Sequence, residues 1–351
     1  MPQRTTRLDI DFSVTPPKGW DSFVAQFPEH RLYHTARWNE MIRETFGHQP
    51  YYITLKQGEE WIGCLPLTFM KSVLFGKLLV SLPFVNYGGP LLRDDALFPV
   101  LGDYLQAFRQ NLEAAHVELR MERAYTDSPL QVKTHKVTYL LYLPDDEEIL
   151  WKSFKAKLRS QVRRPLKENM FTRIGGLDLV SDFYRVFAHN MRDLGTPVYS
   201  KEFFKNILRH FPEEAFLVVV YSNDDIPVAA SFLIKHGDIM EIPWASSLRA
   251  FNRFSPNMLL YWESLRLAIE KKCKQFDFGR CTPGSGTCKF KRQWGAQEKP
   301  LFWYYALPEG ETLPEISPQN KKFEIMVKVW QKMPLFVTNR VGPHIIRNIP
   351  G

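Results

Sequence analysis

The chain has 351 residues, of which 44% are hydrophobic and 24% are charged. This composition excludes a disordered chain, and the length exceeds what one hydrophobic core usually holds, so we expect two domains. The net charge of +8 excludes no function by itself, but it suits an anionic partner such as tRNA, a CoA-type cosubstrate or an anionic membrane surface.

The N-terminal segment MPQRTTRLDIDFSV lacks the apolar run of a secretory signal. The most apolar stretch, residues 72–85, contains Lys77 and Pro83 and is too short to span a bilayer. We therefore expect a cytoplasmic protein without a transmembrane helix. The positive net charge also allows peripheral contact with the inner membrane.

The first half of the chain is predicted to contain a helix, three strands, a second helix and two further strands. The first helix is ARWNEMIRETF, and the strand-like runs QPYYITLK, EEWIGCLPLTFM and KLLVSLPFV follow it. After the turn NYGGP come a helix from Ala96 to about Ala115 and the strands VELRM and VTYLLYL. This half ends near Pro144.

The second half repeats that order. A basic helix begins near Glu147, two helical runs follow, and the strands AFLVVVYS, IPVAASFLIK and DIMEIPWAS form a second meander. A helix from about Asn257 to Cys273, the strand KQFDFG, a glycine loop, a short helix KFKRQWG and the strand PLFWYYAL complete it. The repetition predicts an α/β (α+β) fold of tandem units with mixed, mostly antiparallel sheets, divided as residues 1–144 and 145–310.

The basic helix of the second half has positive charges at helical spacing. Lys152, Lys155, Arg159 and Arg163 lie three, four and four residues apart, which predicts one stripe along the helix. Like charges without interleaved carboxylates repel one another, so the stripe indicates an anionic ligand. A solvated helix face explains the pattern equally well.

The stretch FDFGRCTPGSGTCKFKRQWG combines a strand with a flexible, basic loop. Gly284 and Gly286 flank Ser285, and they allow a sharp turn and close approach of backbone N–H groups to a ligand. Lys289 and Lys291 start the next element, and we expect Lys291 to be an exposed cleft lysine that meets an oxyanion. An ordinary turn between two strands would show the same residues.

Several common catalytic and metal-binding motifs are missing from the sequence. The glycine loop is not a P-loop, Ser285 lies outside a GxSxG frame, and the histidines form no HExxH motif. The four cysteines form no CxxC pair, so we expect neither a metal site nor a disulfide framework.

Three segments resemble the Fem-type aminoacyl and peptidyl transferases: FKAKLRSQVRRPLKEN at 154–169, FSPNMLLYWESLRLAIEKKCKQFDFGR at 254–280 and GSGTCKFKRQWGA at 284–296. Within this family, the chain is similar to the FemAB-like proteins associated with exosortase and PEP-CTERM exopolysaccharide systems. The resemblance implies two acetyltransferase-like (GNAT) domains. It also implies transfer of an acyl or aminoacyl group, from aminoacyl-tRNA or acyl-CoA, to an amine or hydroxyl of a cell-envelope or exopolysaccharide acceptor, without a tightly bound cofactor.

The family's Phe-Lys pair corresponds to Phe290 and Lys291, and the role implied for Lys291 is to stabilise charge on the reacting carbonyl. The residues that follow, Arg-Gln-Trp-Gly, depart from the family's glycine-aromatic pattern, so its substrate channel does not carry over. The loop SLRAFNRFSPNM contains no glycine, which argues against acyl-CoA as the donor. Proton transfer has the candidates Asp277, Tyr261 and Glu241, of which we carry Asp277 forward as catalytic. The substrate-binding candidates are Phe290, Lys155, Arg159, Arg163, Gly284, Ser285, Gly286, Lys289, Trp244 and Asn257.

A protein of another class fits the same residues. It would have no catalytic activity and would bind a nucleic acid or a lipid-linked polyanion through the stripe from Lys152 to Arg163. A deep cleft at Lys291 would favour the enzyme, and a flat basic face would favour the binding protein.

The C-terminal extension, residues 311–351, has the alternation of a basic amphipathic element. Its apolar residues are interspersed with Lys321, Lys322, Lys328, Lys332, Arg340 and Arg347. This pattern is typical of a segment that contacts an anionic membrane. A helix that packs back over a domain gives the same pattern.

Overall fold

The computed structural model describes residues 8–72, 76–313 and 321–350, and these form two compact units. The first unit contains the chain up to Lys136 and the later segments that begin at Pro300 and Asn348. The second contains Val137–Lys299 and the segment that ends at Arg347. No helix in the described part of the chain combines the length and the apolar character that a membrane span requires.

The first unit is a sheet with an apolar core against one long helix. Its strands follow the order β1-β2-β3-β4-β6, in which β4 and β6 are parallel and the other neighbours are antiparallel. Phe98, Leu101 and Leu105 of the long helix α3 are buried in this core. The elements are β1 (Leu8–Ser13), α1 (Trp20–Val24), α2 (Ala36–Phe46), β2 (Gln49–Gln57), β3 (Glu60–Ser72), β4 (Gly76–Val80), β5 (Leu91–Leu92), α3 (Leu97–Asn111) and β6 (His116–Met121).

The second unit has the strand order β7-β12-β11-β10-β9-β8, in which β11 and β12 are parallel. Strand β13 returns to the first unit, where Phe302–Ala306 pairs antiparallel with β6. The remaining elements are β7 (Gln131–Tyr142), α4 (Glu147–Ser153), α5 (Ala156–Lys167), β8 (Phe171–Gly175), α6 (Val180–Leu194), α7 (Lys201–His210), β9 (Ala215–Tyr221), β10 (Pro227–His236), β11 (Ile239–Ser247), α8 (Pro256–Glu270), β12 (Gln275–Cys281), α9 (Gly286–Arg292), β13 (Gln297–Ala306), α10 (Lys321–Lys332) and α11 (Leu335–Ile346).

Apolar layers cover both faces of the second sheet. Met240 and Ile242 of β11 belong to a core that includes residues of α5 and α8. On the other face, aromatic residues of α6 and α7 pack on Phe232 and Trp244. Because side chains alternate along a strand, Glu241 points away from the α8 core.

The predicted order of elements and the mixed, mostly antiparallel character of the sheets are confirmed. The prediction of one basic helix from Glu147 is wrong, because α4 ends at Ser153 and the extended residues Phe154 and Lys155 separate it from α5. The short strands β1 and β8 were not predicted. The division of the chain between the units falls after Lys136, inside β7, and the ranges 1–144 and 145–310 stay a prediction.

Candidate functional site

The candidate site lies in the second unit, where two parallel strands stop pairing. Ile239–Glu241 of β11 pairs with Gln275–Asp277 of β12, although β11 continues to Ser247 and β12 to Cys281. After Glu241 and Asp277, β11 continues to pair with β10, and β12 continues to pair with β7. The carboxyl ends of parallel strands that part in this way form the crevices in which α/β sheets bind ligands.

A β-bulge in β12 marks the point of separation. The register with β7 shifts between Asp277 and Arg280, and Gly279 between them has a φ of 70°, which favours glycine. Asp277 Oδ1 accepts hydrogen bonds from the Gly279 N–H at 2.8 Å and from the Thr138 hydroxyl at 2.6 Å. Since Asp277 is fully buried, its carboxylate holds the bulge. Sequence reasoning missed Thr138.

Lys291 binds the same bulge from α9. Its Nζ donates to the carbonyl oxygens of Gly279 at 2.6 Å and Arg280 at 2.9 Å. Only 3% of Lys291 is exposed, so the expectation of an exposed cleft lysine is wrong. Burial lowers the pKa of Lys291 to about 8; the Asp277 and Glu241 carboxylates favour its charged form, and Arg280 opposes it.

A second buried carboxylate, Glu241, lies in register with Asp277 across the parallel pair. Glu241 is 0% exposed, and its Oε2 lies 3.3 Å from Nε2 of His236, which is also buried. His236 was not among the predicted site residues. The hairpin of β10 and β11 could have indicated it, because Ile234 pairs with Glu241 and His236 is the diagonal neighbour.

The glycine loop leads from β12 into α9. Gly284 has a φ of 79°, and Ser285 caps α9 by accepting a hydrogen bond from the Cys288 N–H at 3.4 Å. Gly286 and Lys289 are exposed. The expectation of no disulfide is wrong at one pair, because the turn brings Cys281 and Cys288 together with their Cα atoms 6.0 Å apart.

Phe290 belongs to the core beneath α9. Its ring lies 4.8 Å from that of Tyr261, which stacks on Phe278 at 5.6 Å. Burial raises the pKa of Tyr261, so its hydroxyl stays protonated at neutral pH. The pair of Phe290 and Lys291 therefore consists of an aromatic residue that packs in the core and a lysine that binds the β12 bulge.

The predicted basic stripe does not form one helix face. Lys152 belongs to α4, where it pairs with Glu148 at 3.0 Å, and Lys155 precedes the first turn of α5. Arg159 and Arg163 lie one turn apart on α5, and Arg163 stacks over the Trp151 ring at 5.1 Å. The extended residues Phe154 and Lys155 interrupt the helix, so only the α5 part of the stripe remains continuous.

Trp244 and Asn257 lie on either side of the loop that leaves β11. Trp244 is buried among Phe203, Phe204 and Phe232, so it is a core residue. Asn257 is half-buried in the first turn of α8. Among the described residues, no group of three or more His, Cys, Asp or Glu side chains is placed to hold a metal ion.

Comparison with known proteins agrees with this geometry. Residues 152–292 match the family model of the acetyltransferase (GNAT) domain, a range that runs from the end of α4 through α9. No curated protein matches the chain. This part of the second unit is therefore similar to the acetyltransferase (GNAT) domain.

Several solved structures share the fold over most of the chain. FemX has a TM-score of 0.63 at 16% identity, covering 84% of this chain and 97% of its own. L-PGS from Bacillus licheniformis has a TM-score of 0.57 at 14% identity, covering 91% and 98%. A tandem GNAT protein from the clavulanic acid biosynthesis pathway has a TM-score of 0.52 at 10% identity, covering 86% and 100%. The predicted fold of two tandem GNAT-like domains is confirmed.

Proposed function

We propose that the chain is a FemAB-type acyltransferase that moves an acyl or aminoacyl group onto an amine or hydroxyl of a cell-envelope or exopolysaccharide acceptor. The observation that carries this proposal is the buried Lys291 ammonium, bound to the β12 bulge where β11 and β12 separate. A fixed cation in a site of low dielectric stabilises the oxyanion that forms when a carbonyl is attacked.

In the proposed reaction, the acceptor's nitrogen or oxygen attacks the carbonyl carbon of the donor, and the bond from that carbon to the donor's sulfur or oxygen breaks. Lys291 stabilises the negative charge on the carbonyl oxygen. Asp277, which we expected to be catalytic, is instead assigned as a positioning residue, because it holds the Gly279 backbone to which Lys291 binds. Glu241, beside His236, receives the acceptor's proton, and this proton returns to the departing sulfur or oxygen of the donor.

The proposed donor is aminoacyl-tRNA, with acyl-CoA as the alternative. Both carry phosphates, and the exposed cations of Lys155, Arg163 and Lys289, with the half-buried Arg159, are the groups we assign to them. The loop between β11 and α8 contains no glycine, which favours aminoacyl-tRNA. Because these donors are made in the cytoplasm, we place the reaction there, on the cytoplasmic side of the envelope.

The test is a transfer assay with the full chain, radiolabelled aminoacyl-tRNA or acetyl-CoA, and a lipid-linked envelope precursor fraction as acceptor. We expect label to move from one donor to the acceptor, and Lys291→Met to slow this transfer by roughly a hundredfold or more. Lys299→Met is the matched control, because Lys299 is an exposed lysine of the same unit outside the proposed site. Tight binding of charged and uncharged tRNA without any transfer would instead support the polyanion-binding protein.

A further inference from the structure

One face of helix α10 packs on helix α6. A side chain at Gly195 would collide with Val327, and Gln331 Nε2 donates to the Asp193 carbonyl oxygen at 3.1 Å. Trp330 is buried on the same side. The predicted alternative, a tail that packs back over a domain, therefore describes this inner face.

The outer face of α10 is apolar and exposed. Ile325, Met326 and Val329 are 61%, 67% and 50% exposed, and Phe336 in the first turn of α11 is 76% exposed. At about 100° per residue, Ile325 and Val329 point roughly 200° away from Val327, to the side opposite α6. Isolated exposed apolar residues are common on proteins, but three large ones on α10, with a fourth at the start of α11, concentrate apolar surface in this segment, which we call the patch.

Positive charge accompanies this patch. Lys328, Lys332 and Arg340 are exposed, and Glu324 is the only acidic residue in the sequence from 321 to 350. Large apolar side chains with lysines and arginines beside them are typical of helices that lie in the interface of an anionic membrane. A second copy of the chain fits the patch less well, because it would bring two sets of cations together.

The patch is also joined to the unit that carries the candidate site. Gly342 of α11 packs so closely on the Val198 backbone that no side chain would fit there. The next residue, Tyr199, lies 6.1 Å from Trp244, ring to ring, on the segment of β11 that no longer pairs with β12. Helices α10 and α11, which carry the patch, therefore pack on the same core as the end of β11.

We propose that Ile325, Met326, Val329 and Phe336 form a membrane-binding face, which inserts into the interface of an anionic bilayer while Lys328 and Lys332 contact lipid phosphates. This face would hold the protein at a membrane, and it does not decide which group the protein transfers. Membrane binding through one short helix and a few cations is reversible, so the protein exchanges between the membrane and the aqueous phase.

The experiment is sedimentation of the full chain with vesicles, either phosphatidylcholine alone or an equimolar mixture of phosphatidylcholine and phosphatidylglycerol. We expect binding to the mixed vesicles, weakened about tenfold or more by Val329→Ser with Phe336→Ser, which remove apolar contacts. Lys328→Gln with Lys332→Gln should weaken it by roughly fivefold per charge, and only on the anionic vesicles. Ile149→Ser is the matched control, because Ile149 is 59% exposed on α4, outside the face.

Failure of the wild-type chain to sediment with the mixed vesicles would overturn the proposal, as would equal binding by all variants. Light scattering of the chain without vesicles measures its oligomeric state. A dimer that Phe336→Ser converts to a monomer would assign the face to a second copy instead. The assay contains neither donor nor acceptor, so its outcome is separate from that of the proposed transfer.

Discussion

The two units share an order of elements but differ at the carboxyl end of their parallel strand pair. In the first unit, the chain after β4 remains bonded to β6, because the Ser81 N–H donates to the Glu118 carbonyl at 2.8 Å and the Ser81 hydroxyl accepts from the Arg120 N–H at 2.9 Å. In the second unit, β11 and β12 separate directly after Glu241 and Asp277. We call the first unit closed, because hydrogen bonds continue between its parallel strands after β4, and the second unit open, because the pairing of β11 with β12 ends there.

A buried cation lies at each of these positions. The Arg120 guanidinium donates to the Glu118 carboxylate at 2.7 Å and to the carbonyls of Val85 and Pro350 at 2.7 and 3.1 Å. Lys291 donates to two carbonyls of one bulge. Arginine is always charged, whereas the pKa of Lys291 is about 8. The contrast shows that corresponding places in the two units hold a permanent charge in one and a cation that titrates near pH 8 in the other.

The largest expected effect tests the closed unit. Arg120→Met should lower the free energy of unfolding by about 3–5 kcal/mol, because the buried Glu118 carboxylate loses its charged partner and keeps the hydrogen bond from the neutral Tyr305 hydroxyl. Arg123→Met is the control, since its ion pair with Asp95 is exposed and should be worth less than about 1 kcal/mol. Urea unfolding measures both. If the two variants lost the same free energy of unfolding, the buried Arg120 would stabilise the first unit no more than an exposed arginine does.

In the open unit, substitution of Lys291 should lower the transferase activity. We expect Lys291→Met to lower kcat by roughly a hundredfold or more, about 2.7 kcal/mol, if the ammonium acts mainly in the transition state. Lys291→Arg should keep little of the wild-type kcat, because a planar guanidinium does not replace a compact ammonium. Since the Gly279 and Arg280 carbonyls lose their donor, Lys291→Met should also cost about 1–3 kcal/mol of stability. A rise in KM alone, measured under steady-state conditions, would reduce Lys291 to a binding role.

The titration of Lys291 sharpens the comparison further. Raising the pH through about 8 removes its charge, so kcat/KM should fall above that pH. Stability should change in the opposite direction. The unfolded lysine keeps its proton up to the ordinary value of 10.5, so between pH 8 and 10.5 the unfolded state binds more protons and this residue makes the free energy of unfolding rise with pH.

Measurement of both pH profiles in wild type and in Lys291→Met separates this residue from every other titrating group. The variant should lose both trends. Arg120 contributes no such dependence, because its guanidinium does not titrate in this range. Identical profiles for the wild type and the variant would show that Lys291 stays charged throughout.

The smallest effect is expected on the exposed surface of α5. Arg163→Glu should raise the KM for the phosphate-bearing donor several-fold at low salt and much less at high salt, because exposed charges are screened beyond about 10 Å at 0.1 M ionic strength. Its effect on the free energy of unfolding should stay near 0.5 kcal/mol. Steady-state kinetics at two salt concentrations decide the point. A loss that is the same at both would indicate damage to folding.

Much of the fold was predictable because its elements carry strong local patterns. Helix α2 has a capping Thr35 before it and Gly47 after it, and the β9–β11 strands are long apolar runs. The break between α4 and α5 was not predictable, because its residues are ordinary helix formers. Phe154 packs on Trp262 and Trp294, and this tertiary contact overrides the local preference.

The candidate site was predictable only in part. The Phe-Lys pair and the glycine loop located Lys291 by sequence alone. The burial of Lys291 depends on the β12 bulge, which Asp277 holds. The Asp277 carboxylate accepts a hydrogen bond from Thr138, which lies 139 residues earlier in the chain, and no local sequence pattern indicates such a contact. The basic stripe was misjudged for the opposite reason, since local spacing assumed a helix that tertiary packing interrupts.

The return of β13 to the first unit has a consequence during synthesis. Strand β6 ends at Met121, but the strand that covers its edge, from Phe302 to Ala306, is made only after the whole second unit up to Lys299. At a synthesis rate of roughly 5–20 residues per second, β6 therefore waits on the order of ten seconds or more on the ribosome with an unpaired edge. During that interval the nascent N-terminal half presents a strand edge to other chains, so its early aggregation depends on how fast the C-terminal half is translated.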